Sequence, residues 1–369
     1  MTTASSADPL REKSGAASRR RISTVLSLTS APRLGALFAE RHNNFDIIRL
    51  IAAMLVIYGH SYALARPGSG MDLFTRLIGW GFSGGLAVDT FFVISGFLVT
   101  ASIMNGGLAY YFAARILRIY PALVVCIALL VFMLGPLLTT SPHYWSSPDP
   151  WRYFAKVASA YGMEWFLPGV FEQHRDKAVN GSIWSLVVEV RMYILLVILH
   201  VLGLLRRAAL MSGLIAATLI AGYWLHPRIP LAWSPTDYHV SSLFLLGMLC
   251  WLNRDRIPMS PLLLVPLLAL AAALHGTPHF IAGYSLVVCY SVFLIGFAPG
   301  ADWRRWLGGD YSYGVFLYGW PVQQCVLLWN RDMPAWQNAA MSIPLALALG
   351  ALSWHGVEKR ALSWKKRFR

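Results

Sequence analysis

The sequence has 369 residues, of which 57% are hydrophobic and only 13% charged, and its formal net charge is +14. Soluble domains average about 25% charged residues, so this composition excludes a disordered chain and argues against a soluble enzyme. We therefore expect an all-α membrane protein whose basic excess reflects either a membrane surface or nucleic acid.

Ten mostly apolar stretches have about the length needed to cross a hydrocarbon core. They divide the chain into a disordered basic tail (residues 1–42), a ten-helix membrane domain (43–356) and a second basic tail (357–369). The first tail lacks the sustained apolar run of a signal peptide. In chain order, the predicted spans are Asp46–Ala65, Trp80–Met104, Arg115–Leu138, Ile183–Leu205, Ala208–His226, Tyr238–Leu252, Pro261–His275, Phe280–Ala298, Tyr311–Asn330 and Ala335–Trp354.

The positions of the basic residues predict the orientation of these spans. Of the 31 Lys and Arg, 21 fall on the side of the two termini and 8 on the opposite side, and Arg49 and Arg191 lie inside spans. Because basic residues accumulate in cytoplasmic segments, both termini are predicted to be cytoplasmic. The net charge then reflects membrane topology, and we expect the lipid bilayer, and not nucleic acid, as the partner of this basic surface.

One long segment, residues 139–182, is predicted to lie outside and to act as a lid or a substrate platform. It carries Trp145, Trp151 and Trp165. Tryptophan rings stack on sugars, but they also form belts at membrane interfaces, and the sequence favours neither interpretation.

Ionisable side chains inside spans are costly and therefore mark candidate functional sites. Arg49 and His60 lie on one face of the first span, about 16 Å apart, with His60 nearer the outer end. Glu189 is predicted at a similar depth to His60, where a carboxylate could tune the imidazole, although Glu189 could instead pair with Arg191. Asp89 lies in the second span.

Two arginines at the predicted cytoplasmic end of the third span suggest a phosphate site. Arg115 and Arg118 are three positions apart, so both guanidinium groups lie on one helix face. Alternatively, they could be interfacial anchors at a helix end. Arg49 lies at the same boundary, so cations are predicted at one end of the bundle and an imidazole near the other. This arrangement matches a ligand with a polyphosphate head and a long thin arm, such as coenzyme A.

Five segments in order carry a more specific pattern: Asn44–Asp46 with Arg49 and His60, Val88–Phe97, Arg115–Pro121, Asn180–Glu189 and Tyr311–Pro321. Together they resemble the acyltransferase family 3 of integral membrane proteins. The resemblance implies transfer of an acyl group, usually acetyl, from cytoplasmic acetyl-CoA to an acceptor outside. It implies His60 as the catalytic histidine and a donor site containing Arg49, Arg115 and Arg118, to which we add Ser95 and Tyr313.

Two features depart from the family pattern. Many members carry a histidine where this chain has Gly319, so that position supplies no side-chain chemistry. Some members also carry a hydrolase-like domain after the membrane part, whereas this sequence ends at Arg369, which predicts a stand-alone membrane acyltransferase.

We therefore predict an O-acyltransferase of the bacterial inner membrane that acts on a surface polysaccharide or glycolipid. His60, tuned by Glu189 or Asp89, would be the general base, or alternatively a nucleophile that carries the acyl group. No metal site is expected. The alternatives are a transporter with an intramembrane charge relay and a non-catalytic subunit of an envelope assembly.

Overall fold

The computed structural model describes residues 30–40, 42–65, 68–225, 234–298 and 308–368. Over these residues it is helical, with one isolated β-bridge between Arg33 and Pro258. The twelve helices of this part of the chain are α1 (Leu34–Ala39), α2 (Phe45–Leu64), α3 (Leu73–Ile78), α4 (Ser83–Leu129), α5 (Asp149–Ala158), α6 (Trp184–Val201), α7 (Ala208–Leu225), α8 (Pro235–Leu252), α9 (Leu264–Leu274), α10 (Phe280–Gly296), α11 (Ser312–Trp329) and α12 (Ala335–Ser353).

The predicted spans correspond to helices with boundaries shifted by a few residues. The second and third spans are the two arms of α4, which are separated by a kink at Gly107, where the backbone is not helical and a φ of 72° is accessible to glycine at little cost. After π-helical turns, α4 continues to Leu138 and α12 to Phe368.

Several helices have the length and composition of membrane spans. Four are long and apolar enough: Phe45–Leu64, Ser83–Leu138, Trp184–Val201 and Ala335–Phe368. Three shorter helices are also strongly apolar: Ala208–Gly222, Pro261–Leu274 and Phe280–Gly296. The chain is accordingly an integral membrane protein, while the number of ten spans and the cytoplasmic side of the termini stay predictions.

The predicted disordered tail is wrong over residues 34–39. Helix α1 forms there because Leu34 is fully buried and the Phe38 ring packs edge-on against Phe97 and Trp251, with centroids 5.3 and 5.1 Å away. Residues 1–29 of that tail lie outside the described residues. The predicted C-terminal tail is helical up to Phe368.

Close helix crossings determine where the polar side chains meet. Helix α4 packs against both α2 and α8, and α11 packs between α2 and α12. At the α4–α8 crossing, a Cβ atom on Gly96 would overlap the Phe244 carbonyl group. At the α2–α4 crossing, a Cβ atom on Gly59 would lie 2.5 Å from the backbone nitrogen of Gly84. These glycines bring the helices that carry His60, Asp89 and His239 into direct contact.

Helix α11 is the interior helix of the bundle. Every residue from Gly314 to Gln324 is buried, including the amides Gln323 and Gln324. Gln323 donates to Ser61 Oγ and to the Asn338 side chain, so its amide nitrogen is bonded within the bundle. Because α11 is surrounded by other helices, it tolerates polar residues that lipid would not.

The segment 139–182, which is predicted to be external and is called here the external segment, packs onto one end of the bundle. Helix α5 buries Tyr153 and Val157, and Tyr144 donates a hydrogen bond to the Val131 carbonyl oxygen. Trp145 and Trp151 are half exposed and flank Phe132 of the membrane helix, which favours an interfacial role for these two tryptophans.

Candidate active site

The cationic residues singled out from the sequence meet in one cavity, called here the arginine cavity. Its volume is about 110 Å³. The side chains of α2, α4, α6 and α11 contribute to its lining, and all of the expected donor-site residues are among them: Arg49, Ser95, Arg115, Arg118 and Tyr313, together with Glu189.

Two of the three arginines in this cavity are held by carboxylates. Arg49 lies 2.8 Å from Asp46 and 3.5 Å from Asp310. Arg118 lies 2.7 Å from Asp310 and 3.3 Å from the almost fully buried Glu358. Burial by itself would raise the pKa of Asp310, but Arg118 and Arg49 outweigh it and lower that pKa to about 2. Asp310 is therefore an anion that joins the two arginines at neutral pH.

Arg115 differs from its two neighbours. No carboxylate in the described ranges lies within ion-pair distance of it, and its buried Nε has no hydrogen-bond partner there. Its guanidinium group lies over the Tyr193 ring, 5.6 Å from the centroid. Arg115 is thus the cation in the arginine cavity whose charge is least satisfied by the protein.

Glu189 does not contact His60, contrary to the expectation from equal depth. It accepts hydrogen bonds from Ser95 Oγ at 2.6 Å and Tyr193 OH at 2.5 Å, and it lines the arginine cavity. Nor does it pair with Arg191, which lies 3.6 Å from Asp237. Depth along a helix does not fix which face a side chain occupies, and Glu189 faces α4 where Ser95 lies.

Tyr313 supports Arg118 in the same cavity. Its hydroxyl donates to the Ile119 carbonyl oxygen at 2.9 Å, and the Arg118 guanidinium group lies 5.4 Å from its ring centroid. Tyr313 therefore orients an arginine as well as lining the cavity.

His60 lies in a second cavity, called here the histidine cavity, of about 170 Å³. Its Nδ1 is 3.5 Å from Ser182 Oγ, and its ring meets the edge of Trp320 at 4.9 Å between centroids. Trp320 is anchored by its indole N–H, which donates to the Ala178 carbonyl oxygen. Other members of the lining are Trp80, Phe82, Asp89, Trp184, His239, Tyr284 and Phe316.

Asp89 does line the histidine cavity, but its partners come from two other helices. Asp89 Oδ1 lies 3.0 Å from His239 Nε2, and Oδ2 accepts a hydrogen bond from Tyr284 OH at 2.8 Å. Neither partner was predicted from the sequence. His239 could have been found by the same rule that selected His60, since it is an ionisable residue inside a predicted span.

Gly319, where the resemblance leads one to look for histidine, packs directly against α2. A Cβ atom there would lie 2.7 Å from Ile57 Cγ1, so the position is filled by the neighbouring helix. The chemistry near His60 must therefore come from other residues.

The cavities form a series along the bundle. A wider groove of about 660 Å³, lined by Tyr110, Arg115 and Lys365 among others, shares Leu98 and Arg115 with the arginine cavity. The arginine cavity in turn shares Phe316 with the histidine cavity. Arg49 lines the arginine cavity and His60 the histidine cavity, and these two residues are eleven positions, about 16 Å, apart along α2.

Comparisons with known proteins bear on the family of the chain. A family model described as an acyltransferase domain matches residues 42–355. The chain is 29% identical over 340 residues to an O-acetyl transferase of Shigella phage Sf6, covering 88% of this chain and 97% of that protein. It is 28% identical over 357 residues to Nodulation protein 10 of Rhizobium leguminosarum bv. viciae, covering 87% and 93%. No solved structure is significantly similar.

Proposed function

The chain belongs to the acyltransferase family 3 and is an O-acyltransferase, and from that premise we propose that it transfers an acetyl group from acetyl-CoA to a hydroxyl group of a glycan or glycolipid on the far side of the membrane. The series of three cavities is the observation that carries this proposal. It supplies cations at one end, a histidine at the other and Phe316 at the junction between them.

The cationic end suits the donor. Arg115 has an unsatisfied guanidinium group, and guanidinium groups bind phosphate through forked, charge-assisted hydrogen bonds. The adjoining groove adds Lys365 and has room for the nucleotide part of a coenzyme. A thin pantetheine arm would then extend from the arginine cavity past Phe316, with the cytoplasm on the Arg49 side.

The chemistry is assigned to His60. In the histidine cavity it would meet the thioester carbon at the tip of the arm and the acceptor hydroxyl arriving from the opposite side. A general base or a nucleophile at this point lowers the barrier to acyl transfer. The acetyl group is suggested by the name of the phage relative, and the bacterial inner membrane by the need for cytoplasmic acetyl-CoA.

Acylation of the envelope glycan in cells tests this proposal. Cells lacking the gene are complemented with the wild type, with His60→Ala or with His143→Ala, and O-acetyl esters on extracted glycans are measured by mass spectrometry. His143 is an exposed histidine of the external segment and serves as the control. Wild type and His143→Ala should restore the esters and His60→Ala should not, at equal protein levels. Restoration by His60→Ala would remove His60 from the mechanism.

Purified protein tests the donor separately. Wild-type protein incubated with radiolabelled acetyl-CoA and the glycan extract from the deletion strain should transfer label to the glycan. Absence of any transfer, with the esters still dependent on the gene in cells, would show that a further protein completes the reaction.

A further inference from the structure

The histidine cavity contains two imidazoles with different surroundings. For His60, the described residues provide a hydroxyl group, Ser182 Oγ at 3.5 Å, and aromatic rings. For His239, they provide a carboxylate, because Asp89 Oδ1 lies 3.0 Å from Nε2. An imidazole that gains a proton is stabilised by a neighbouring carboxylate, and here only His239 has one.

The carboxylate beside His239 is firmly positioned. Asp89 is 2% exposed, and Tyr284 holds its second oxygen from a different helix. The edge of the Trp80 ring packs on the His239 ring, with centroids 5.8 Å apart. Neither ring nitrogen of His239 makes a hydrogen bond in the described part of the chain, so its contact with Asp89 is one of distance and charge. A buried carboxylate 3.0 Å from Nε2 can stabilise the imidazolium that forms when the other nitrogen, Nδ1, takes a proton.

We propose that the two histidines divide the reaction, His60 carrying the acyl group and His239, oriented by Asp89 and Tyr284, taking the proton of the acceptor hydroxyl. This inference rests on the proposed function and makes it more specific. It also explains why Asp89, which the sequence associated with His60, contacts another histidine.

Each step balances. In the first, a neutral ring nitrogen of His60 attacks the thioester carbon, the C–S bond breaks, and coenzyme A leaves as a thiolate. In the second, the acceptor oxygen bonds to the acyl carbon, the C–N bond breaks and returns its electron pair to His60, and the hydroxyl proton moves to His239. That proton later passes to water and neutralises the thiolate.

The test compares transfer with retention of the acyl group. His239→Gln, wild type, His60→Ala and the control His143→Ala are purified and given radiolabelled acetyl-CoA with the glycan extract. General-base catalysis contributes about 10²–10⁴-fold, so His239→Gln should lower kcat by about that factor. Because only the second step is slowed, kcat/KM for acetyl-CoA should be unchanged. Label should remain on the protein, at His60, and disappear in the double variant with His60→Ala.

A second variant separates basicity from packing. Transfer by His239→Ala should be restored by added imidazole, and much less by 1,2,4-triazole, which has the same size and is a weaker base. Equal rescue by both rings would mean that His239 only fills space, and the proposal would be wrong.

Two other results would contradict a proposal. Wild-type rates in His239→Gln, or slow transfer with no label retained on the protein, would overturn the division of labour while leaving the acyltransferase function intact. No transfer by the wild type, together with glycan esters that do not depend on the gene in cells, would instead contradict the proposed function itself.

Discussion

Replacing Arg115 and Arg118 one at a time should produce different defects, one in donor binding and the other in stability, although the two residues are three positions apart on the same helix face. Arg118 pairs with Asp310 and with Glu358, whose side chains are 14% and 1% exposed. Removing one partner of a buried ion pair costs about 3–5 kcal/mol, because the other charge remains buried without compensation. Arg118→Ala should therefore lower the melting temperature by at least about 5 °C.

Arg115→Ala breaks no ion pair with a carboxylate, since none in the described ranges lies within ion-pair distance of Arg115. Its defect should appear in donor binding. A hydrogen bond to a charged group contributes about 1.5–3 kcal/mol. At 1.4 kcal/mol for each factor of ten, the KM for acetyl-CoA should rise about 10- to 150-fold, with little change in melting temperature.

Both quantities are measurable in detergent-solubilised protein, as KM for acetyl-CoA at saturating acceptor and as thermal unfolding followed by tryptophan fluorescence. Arg152→Ala is the matched control, because Arg152 is half exposed and pairs with the equally exposed Asp149 in the external segment. A KM unchanged within twofold in Arg115→Ala would refute the assignment of Arg115 to the donor phosphates. A normal melting temperature in Arg118→Ala would refute the structural role of its ion pairs.

Three further predictions concern stability, pH and donor size. Gly96→Ala should lower the free energy of unfolding by about 1–3 kcal/mol, because the added Cβ atom would overlap the Phe244 carbonyl group. The control Gly213→Ala should have no such effect, since no atom lies near its added Cβ atom, and thermal unfolding compares the two variants. The pKa of Asp310 is lowered to about 2, so its stabilising contribution is present above about pH 4 and is lost as the pH falls towards 2. The difference in melting temperature between wild type and Asp310→Asn should therefore shrink between about pH 4 and 2 and stay constant from about pH 5 to 8. Phe316→Ala should raise kcat/KM for butyryl-CoA relative to acetyl-CoA by roughly tenfold, because the ring narrows the junction of two cavities; an unchanged ratio would mean that the acyl group does not pass Phe316.

Much of the helical framework could be predicted from the sequence because lipid imposes a simple length and polarity requirement on each span. The prediction was wrong where burial inside the protein replaced burial in lipid. Helix α1 is too short and too close to a basic tail to stand out, yet Leu34 and Phe38 dock it onto α4 and α8. The kink that separates the two arms of α4 lies at Gly107, between two of the predicted spans.

The candidate site was likewise predicted only in part from the sequence. The grouping of Arg49, Arg115 and Arg118 was expected, because helix-end positions can be counted along the chain. The acids that hold two of them were missed: Asp310 precedes a helix by two residues and Glu358 follows a predicted span, so neither counted as an intramembrane charge.

The pairing of charges could not be read from depth. Glu189 and Asp89 were both candidates to tune His60, but their partners depend on how neighbouring helices pack. The close α4–α8 crossing at Gly96 brings together the helices that carry Asp89 and His239, whereas Glu189 of α6 meets Ser95 of α4. Helix–helix register is a property of the packed bundle, and a single sequence contains little information about it.

The position of Phe316 at the junction of two cavities also bears on how the membrane stays electrically sealed. One phenyl ring, packed edge-on to Phe91 at 5.9 Å, separates the cationic end of the bundle from the cavity that holds His60. A narrow apolar constriction excludes hydrated ions because water leaves it readily. When no donor is bound, this ring would therefore keep protons from crossing and preserve the proton-motive force. Under the proposed function, a thioester bound at the cationic end could then drive acylation at the histidine cavity without a leak of ions.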